Sequence, residues 1–180
     1  MRSARTRKLT ASALGVAFVA VCAWIALPLG PVPVSLQTLG VALIAGVLGP
    51  LWGTLSVLVY LAIGALGVPV FAAFGAGVSA FAGPTGGFLL ALPLFALAVG
   101  FGARGGGAAF ALALAGAHLL LYTIGGAFYA LLYAKDATFL AALTALVLPF
   151  LAGDLCKGVL AFFLTRRLTQ AEPFLFSQRK

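Results

Sequence analysis

The run from Leu9 to Leu27 is apolar along almost its whole length, and further apolar runs follow it as far as Leu164. A helix needs about 20 such residues to cross the hydrocarbon core of a bilayer. Composition settles where runs of this kind belong. The chain has 180 residues, of which 63% are hydrophobic and 8% charged, whereas soluble domains average about 45–50% apolar and about 25% charged. A soluble domain of this length has too little interior to hide that much apolar surface. The chain reads as an all-α integral membrane protein.

Proline and glycine divide the runs. The first stops at Pro28, and Pro28 to Thr38 (PLGPVPVSLQT) holds three prolines and the polar trio Ser35, Gln37 and Thr38. This segment is expected to be a loop dipping into the outer half of the protein. Thr38 to Leu48 is a shorter apolar segment closed by Gly49-Pro50, and Leu51 to Leu66 is a third, closed by Gly67 and Pro69. Val68 to Gly87 is apolar but rich in Gly, Pro and small residues. Irregular backbone is not tolerated against lipid, so this stretch must pack on protein or line a cavity. Phe88 to Ala103 and Ala108 to about Phe128 are the fourth and fifth spans. Proline suits the first turn of a helix, so the sixth is expected from Pro149 to about Leu164. Ala137 to Leu148 then becomes a short helix near the outer surface. The expected architecture is a compact bundle of six transmembrane helices, residues 9–168, between a basic segment, 1–8, and a tail, 169–180.

Charge orients the bundle. The net charge is +8, yet the basic residues do not form a nucleic-acid surface. Arg2, Arg5, Arg7 and Lys8 precede the first run, and Arg166, Arg167, Arg179 and Lys180 follow the last. The positive-inside rule puts both termini in the cytoplasm, which agrees with an even number of spans. Arg104 then falls inside and Lys135 outside. Small residues such as Ala13 and Ala17 on the first helix allow close helix approach.

Several chemistries find little support. Cys22 and Cys156 both sit in apolar runs, and with one histidine they are too few for a metal site or a disulfide framework. The basic start followed by an apolar stretch has the form of a signal peptide. However, no small-x-small cleavage site precedes a polar region, and Val21 stands where a lipoprotein signal wants a small residue. GPTGG, Gly83 to Gly87, lacks the lysine and spacing of a phosphate-binding loop. His118 has no acidic or cysteine partner in its segment, and Ser79 lies in GAGVSAF rather than in a nucleophile motif.

One stretch does ask for chemistry. LAGDLCKGVL, Leu151 to Leu160, places Asp154 and Lys157 three residues apart inside an apolar run. Residues i and i+3 share a helix face, and each charge at mid-helix depth costs roughly 2.5–3.5 kcal/mol on insertion scales. Two readings follow: an ion pair that fastens two helices, or a polar ligand site opening outward. Gln37, Thr38, Thr85 and Tyr122 would converge on the same outward half, with Phe71, Phe74, Phe81 and Phe88 as apolar walls. A concave, mostly apolar pocket with few polar groups is the usual form of a small-molecule site.

The ordered set GPVPVSLQTLGVALIAGVLGP, SVLVYLAIGALGVPVFA, GPTGGF and PFLAGDLCKGVLA resembles the biotin transporter BioY family, from about Ala11 to Arg167. These are the substrate-binding S components of energy-coupling factor (ECF) transporters. The resemblance implies a six-helix fold with biotin near the outer face of the bacterial cytoplasmic membrane, under the first and third loops. It implies that Asp154 and Lys157 of the G-D-x-x-K motif contact biotin, with Thr85, Gly86, Gln37, Phe74 and Tyr122 as further binding residues. Asp154 would accept from the ureido N–H groups and Lys157 would meet the carboxylate. The partners it implies are a transmembrane coupling protein, docking partly through Ala13 and Ala17, and two ATP-binding-cassette ATPases. No cofactor and no nucleic acid enter. Some members reach the ligand with an Arg or Asn near the third loop; Val68 to Ala103 contains neither. Other readings are an S component for another vitamin, a membrane-embedded enzyme acting on lipid, and a ligand-free structural subunit. The two motifs speak against the first and the missing catalytic set against the second. The third leaves the buried charges unexplained.

Overall fold

The computed structural model describes residues 4–28, 32–134 and 139–171. Arg2, Lys135, Asp136, Arg179 and Lys180 lie outside the described residues, as does the tail beyond Ala171. Helix α1 (Ala4–Trp24) leads into a two-stranded hairpin, β1 (Ala26–Leu27) antiparallel to β2 (Val34–Ser35), with Ala26 opposite Ser35. Helix α2 (Gln37–Ala65) follows, then an irregular loop holding a 3-10 turn (Ala72–Phe74) and the short α3 (Ser79–Ala82). Three long helices complete the chain: α4 (Gly86–Arg104), α5 (Gly107–Leu132) and α6 (Phe139–Ala171).

Helix α2 is two arms, residues 37–48 and 50–65. Gly49 between them has φ 80° and ψ 178°, a backbone that glycine enters without a Cβ clash. Pro50 then opens the second arm, where its missing N–H costs nothing. The arms fold back on each other. A Cβ on Gly53 would lie 2.5 Å from the Cα of Ala45, although eight residues of straight helix span about 12 Å. Counting the arms separately, the described residues form six long helical segments. Among the described residues four helices are long and apolar enough to cross a membrane by length and composition: Arg5–Trp24, Gln37–Ala65, Gly86–Arg104 and Gly107–Leu132.

The start of the last helix differs from the expectation. Helix α6 begins at Phe139 and continues through Pro149, so no separate surface helix over residues 137–148 precedes a span that starts at the proline. Proline inside a membrane helix removes one hydrogen bond, which its surroundings can make good. The 33 residues of α6 extend about 50 Å, longer than the hydrocarbon core.

Helix α4 is the centre of the bundle, packing against α2 on one side and α5 on the other. Ala91, Phe95, Ala96 and Val99 of α4 are fully buried, with Val41, Ala45, Val57 and Tyr60 of α2. Small residues set these distances. A Cβ on Gly100 would lie 2.5 Å from the Pro50 Cα, and one on Gly125 of α5 would lie 2.5 Å from the Phe88 ring. Dispersion and close packing hold helices together where lipid removes the hydrophobic drive. The outward faces carry Leu14, Leu112, Leu119, Leu155 and Phe163, all exposed, which is what lipid contact requires. Ala13 and Ala17 are also exposed, on the face of α1 turned away from α2.

Gly53→Ala is the direct test of the folded-back arms. The obstructing Ala45 atom is backbone and cannot rotate away, so overpacking should cost about 1–3 kcal/mol. The check is a lowered melting temperature of the purified chain in detergent. An unchanged melting temperature would mean that the arms lie farther apart.

Candidate ligand site

The site lies at the end of the bundle where the hairpin and the loop over residues 66–85 meet. Helix α6 supplies Asp154 and Lys157, whose side chains are only 3% and 7% exposed. Their i, i+3 spacing brings Lys157 Nζ into direct ionic contact with Asp154 Oδ1. The first segments of α2 and the middle of α5 bring donors to the carboxylate. Thr38 Oγ1 donates to Asp154 Oδ1 at 3.3 Å, and Tyr122 Oη donates to Oδ2 at 2.5 Å. Lys157 Nζ also donates to the Ser35 carbonyl on β2 at 2.9 Å. Four elements (β2, α2, α5 and α6) therefore meet at one buried ion pair.

A second polar chain runs beside it. Gln37 Nε2 donates to Tyr60 Oη at 3.1 Å, and Tyr60 Oη donates to the Val70 carbonyl at 2.9 Å. This links the start of α2, through its second arm, to the loop. Ser35 Oγ accepts from the Gln37 N–H at 3.3 Å, satisfying one of the N–H groups that a helix start leaves open.

Around these groups is a cavity of about 700 Å³ of atom-free space, counting its open mouth. Val32, Pro33 and Ser35 of the hairpin line one side, and Phe71, Ala72, Gly75 and Ala80 of the loop another. Thr85, Phe88, Leu89 and Leu92 come from the start of α4, Leu121 and Tyr122 from α5, and Phe150, Asp154 and Lys157 from α6. Phe88 and Phe150 stack with centroids 5.9 Å apart and planes at 14°. The result is a largely apolar chamber with a few polar groups in its lining.

Of the residues expected from sequence, Asp154, Lys157, Gln37, Thr85 and Tyr122 come together on this lining, with Thr38. Phe74 and Gly86 do not. Phe74 is exposed on the outer side of the loop and stacks on Trp24. The α-carbon of Gly86 is turned toward the Phe81 backbone. Phe81 itself stands behind the lining, edge-on to Phe71 at 5.6 Å. His118 is placed as packing: Nδ1 donates to the Leu114 carbonyl at 2.8 Å, and its ring meets Phe95 edge-on at 5.0 Å. Sequence reasoning did not single out Val32, Pro33, Leu89, Leu92, Leu121 or Phe150. Their only signal is apolar character, which most of this chain shares.

An ion pair this deep should behave asymmetrically on mutation. Removing one partner leaves an uncompensated buried charge and costs about 3–5 kcal/mol, whereas replacing both with apolar residues of similar volume is far milder. Asp154→Leu and Lys157→Met singly should each lower the melting temperature more than the double variant does. Simple additivity of the two would show that the charges do not compensate each other.

Residues 1–174 match the family model described as the BioY family. A probable biotin transporter BioY of Pyrococcus horikoshii is 37% identical over 164 residues, covering 91% of this chain and 97% of the relative. A biotin transporter BioY of Thermotoga maritima is 39% identical over 168 residues, covering 92% and 98%. Among solved structures, the S-component for biotin from an ECF-type ABC transporter superposes with a TM-score of 0.83 at 28% identity, over 92% of each chain.

Proposed function

The chain belongs to the BioY family, and from that membership we infer that it is the biotin-binding S component of an ECF-type importer, a multi-pass membrane protein that takes up biotin. The observation that carries this reading is the buried Asp154–Lys157 pair on the wall of an otherwise apolar chamber, in a fold shared with an S-component for biotin.

The pair retains capacity for a ligand. An ammonium has three donors, of which Asp154 and the Ser35 carbonyl use two. A carboxylate offers about four acceptor positions, and Lys157, Thr38 and Tyr122 use three. We assign the remaining Asp154 position to a ureido N–H of biotin and the remaining Lys157 donor to its carboxylate. Gln37, Thr85 and Tyr122 complete the polar contacts, and Phe71, Phe88 and Phe150 enclose the apolar body. The loop residues Val68–Gly87 contribute no Arg or Asn, so polar recognition rests on Gln37 of α2, Thr85 before α4, Tyr122 of α5 and the α6 pair.

Orientation follows from charge. The cavity is at the start of α4, and Arg104 is at its end. Arg166 and Arg167 lie further along α6 in the same direction from Lys157. Basic residues favour the cytoplasmic side, which turns the cavity outward from the bacterial cytoplasmic membrane. The energy for inward release would come from two ATP-binding-cassette ATPases acting through a transmembrane coupling protein. The exposed face of α1 that carries Ala13 and Ala17 offers that protein a surface of small residues.

Calorimetry of the purified chain in detergent tests the reading. Biotin should bind to the wild type, and Asp154→Asn should weaken binding about ten- to a hundredfold, because it removes the charged acceptor assigned to the ureido N–H. Biotin amide, which lacks the carboxylate, should bind the wild type more weakly and lose its distinction from biotin in Lys157→Met. A folded wild type that ignores biotin would overturn the ligand. Wild-type affinity in Asp154→Asn would return the ion pair to a purely structural role.

A further inference from the structure

The loop beside the cavity is fastened from outside by the last residue of the first helix. Trp24 ends α1. Its Nε1–H donates to the Pro69 carbonyl at 2.8 Å, and its ring stacks on Phe74 with centroids 5.3 Å apart and planes at 25°. Neither ring lines the cavity, and they are 39% and 62% exposed. The turn that Trp24 grips does line it, through Phe71, Ala72 and Gly75. The turn thus has two sides. Phe71 points inward, edge-on to Tyr60 at 5.5 Å, and Phe74 points outward onto Trp24.

The backbone that separates them is strained. Ala73 has φ 52° and ψ 37°, and Phe74 has φ 58°. Both occupy the left-handed region, which residues with a Cβ enter only against a steric penalty. Such conformations persist where their surroundings over-determine them. Within the turn the Phe71 N–H donates to the Gly75 carbonyl at 3.0 Å and the Gly75 N–H to the Ala72 carbonyl at 3.1 Å. On the outer side the hold comes from Trp24.

The residues that follow Trp24 lead into the other wall of the cavity. The carbonyl of the next residue, Ile25, accepts from the Leu36 N–H at 3.0 Å, and Ala26 pairs with Ser35. Ser35 is the residue whose carbonyl accepts from Lys157. The hairpin and the loop, which lie on different sides of the cavity, are joined through one indole.

We propose that Trp24 is a positioning residue for ligand retention: its clasp on Pro69 and Phe74 keeps the turn at residues 72–74 closed against the occupied cavity and so sets how fast ligand leaves. The proposal rests on the biotin reading for its ligand, though not for the clasp itself. A tryptophan at the end of a membrane helix is commonly an interfacial anchor. An anchor needs its indole at headgroup level and has no need of a protein partner for the N–H. Here that N–H is committed to the loop backbone.

Two measurements decide it. The first is the dissociation rate of labelled biotin after a chase of unlabelled biotin. Trp24→Ala should raise it about tenfold, from loss of one hydrogen bond and one aromatic stack, with the association rate unchanged. Trp24→Phe, which keeps a ring for Phe74, should raise it less. Ala73→Gly removes the left-handed penalty at that position, so adding it to Trp24→Ala should recover part of the slow dissociation. The second is hydrogen exchange without ligand. The Gly75 and Gly77 amides, bonded to the Ala72 and Gly64 carbonyls, should exchange faster in Trp24→Ala. An anchor would lower the melting temperature, leave dissociation and loop exchange unchanged and show no rescue by Ala73→Gly; that pattern overturns the proposal. If the wild type does not bind biotin the ligand reading falls, and exchange alone then decides the clasp.

Discussion

A carboxylate and an ammonium enclosed in an apolar bundle must find each other and further partners, and much of the remaining arrangement follows from that requirement. Taking two charges out of water costs several kcal/mol per ion, and their attraction offsets this only when additional hydrogen bonds satisfy the remaining atoms. Asp154 and Lys157 obtain those bonds from Thr38 at the start of α2, Tyr122 in the middle of α5 and the Ser35 carbonyl on β2. Each partner is far away in sequence and each sits on a different element. The pair therefore acts as a fixed point toward which the hairpin, the first arm of α2 and helix α5 are drawn. A shift of α6 along its axis would strand all of these groups at once. That is a sharper penalty for misregister than apolar packing alone can impose, because one leucine replaces another with little loss.

The cavity is the complement of close packing elsewhere. At the far end of α4 the helices come as near as backbone allows, with Gly100 against Pro50 and Gly53 against Ala45. At the near end packing is also close, Gly87 against Phe128 and Gly125 against Phe88, while Phe71, Phe88 and Phe150 bring bulk to the cavity walls. The free volume lies among these rings, next to the ion pair. The irregular loop is tolerated beside it because its backbone groups are satisfied by protein: Gly77 N–H reaches the Gly64 carbonyl at 2.7 Å, and Val70 offers its carbonyl to Tyr60.

What the amino-acid sequence disclosed, and what it concealed, divides along physical lines. Segment limits were legible because an apolar run of spanning length has few alternatives, and because Gly49-Pro50 and Gly67 are strong punctuation. Asp154 and Lys157 were legible because charge in lipid demands a reason. The proline at 149 was misleading: the same ring that favours a helix start in water is accepted inside a membrane helix, and α6 runs through it. Phe74 looked like a cavity wall from its neighbours, but it follows Ala73, and no sequence pattern announces that an alanine takes a positive φ and turns the next ring outward. Gly86 lies beside Thr85 in the chain, yet the first turn of α4 carries its α-carbon toward the Phe81 backbone. Adjacency in sequence decides little once a helix begins.

The composition of the polar wall also suits a site that is alternately empty and full. A lone Lys157 would attract an anionic ligand more strongly, but at 7% exposure an unpaired ammonium would destabilise the empty protein. Asp154 compensates the charge of the empty site and keeps Lys157 oriented. The carboxylate has its own donors in Thr38 and Tyr122, so part of its charge is already stabilised without the ammonium. On the proposed assignment, an incoming carboxylate on the ligand shares Lys157 without leaving Asp154 stranded. Only the difference between these two arrangements contributes to binding, since a ligand can shift an equilibrium by no more than its differential interaction with the two states. A compensated pair trades some affinity for stability of the empty state, and a transporter, which must release its ligand on every cycle, works within that trade.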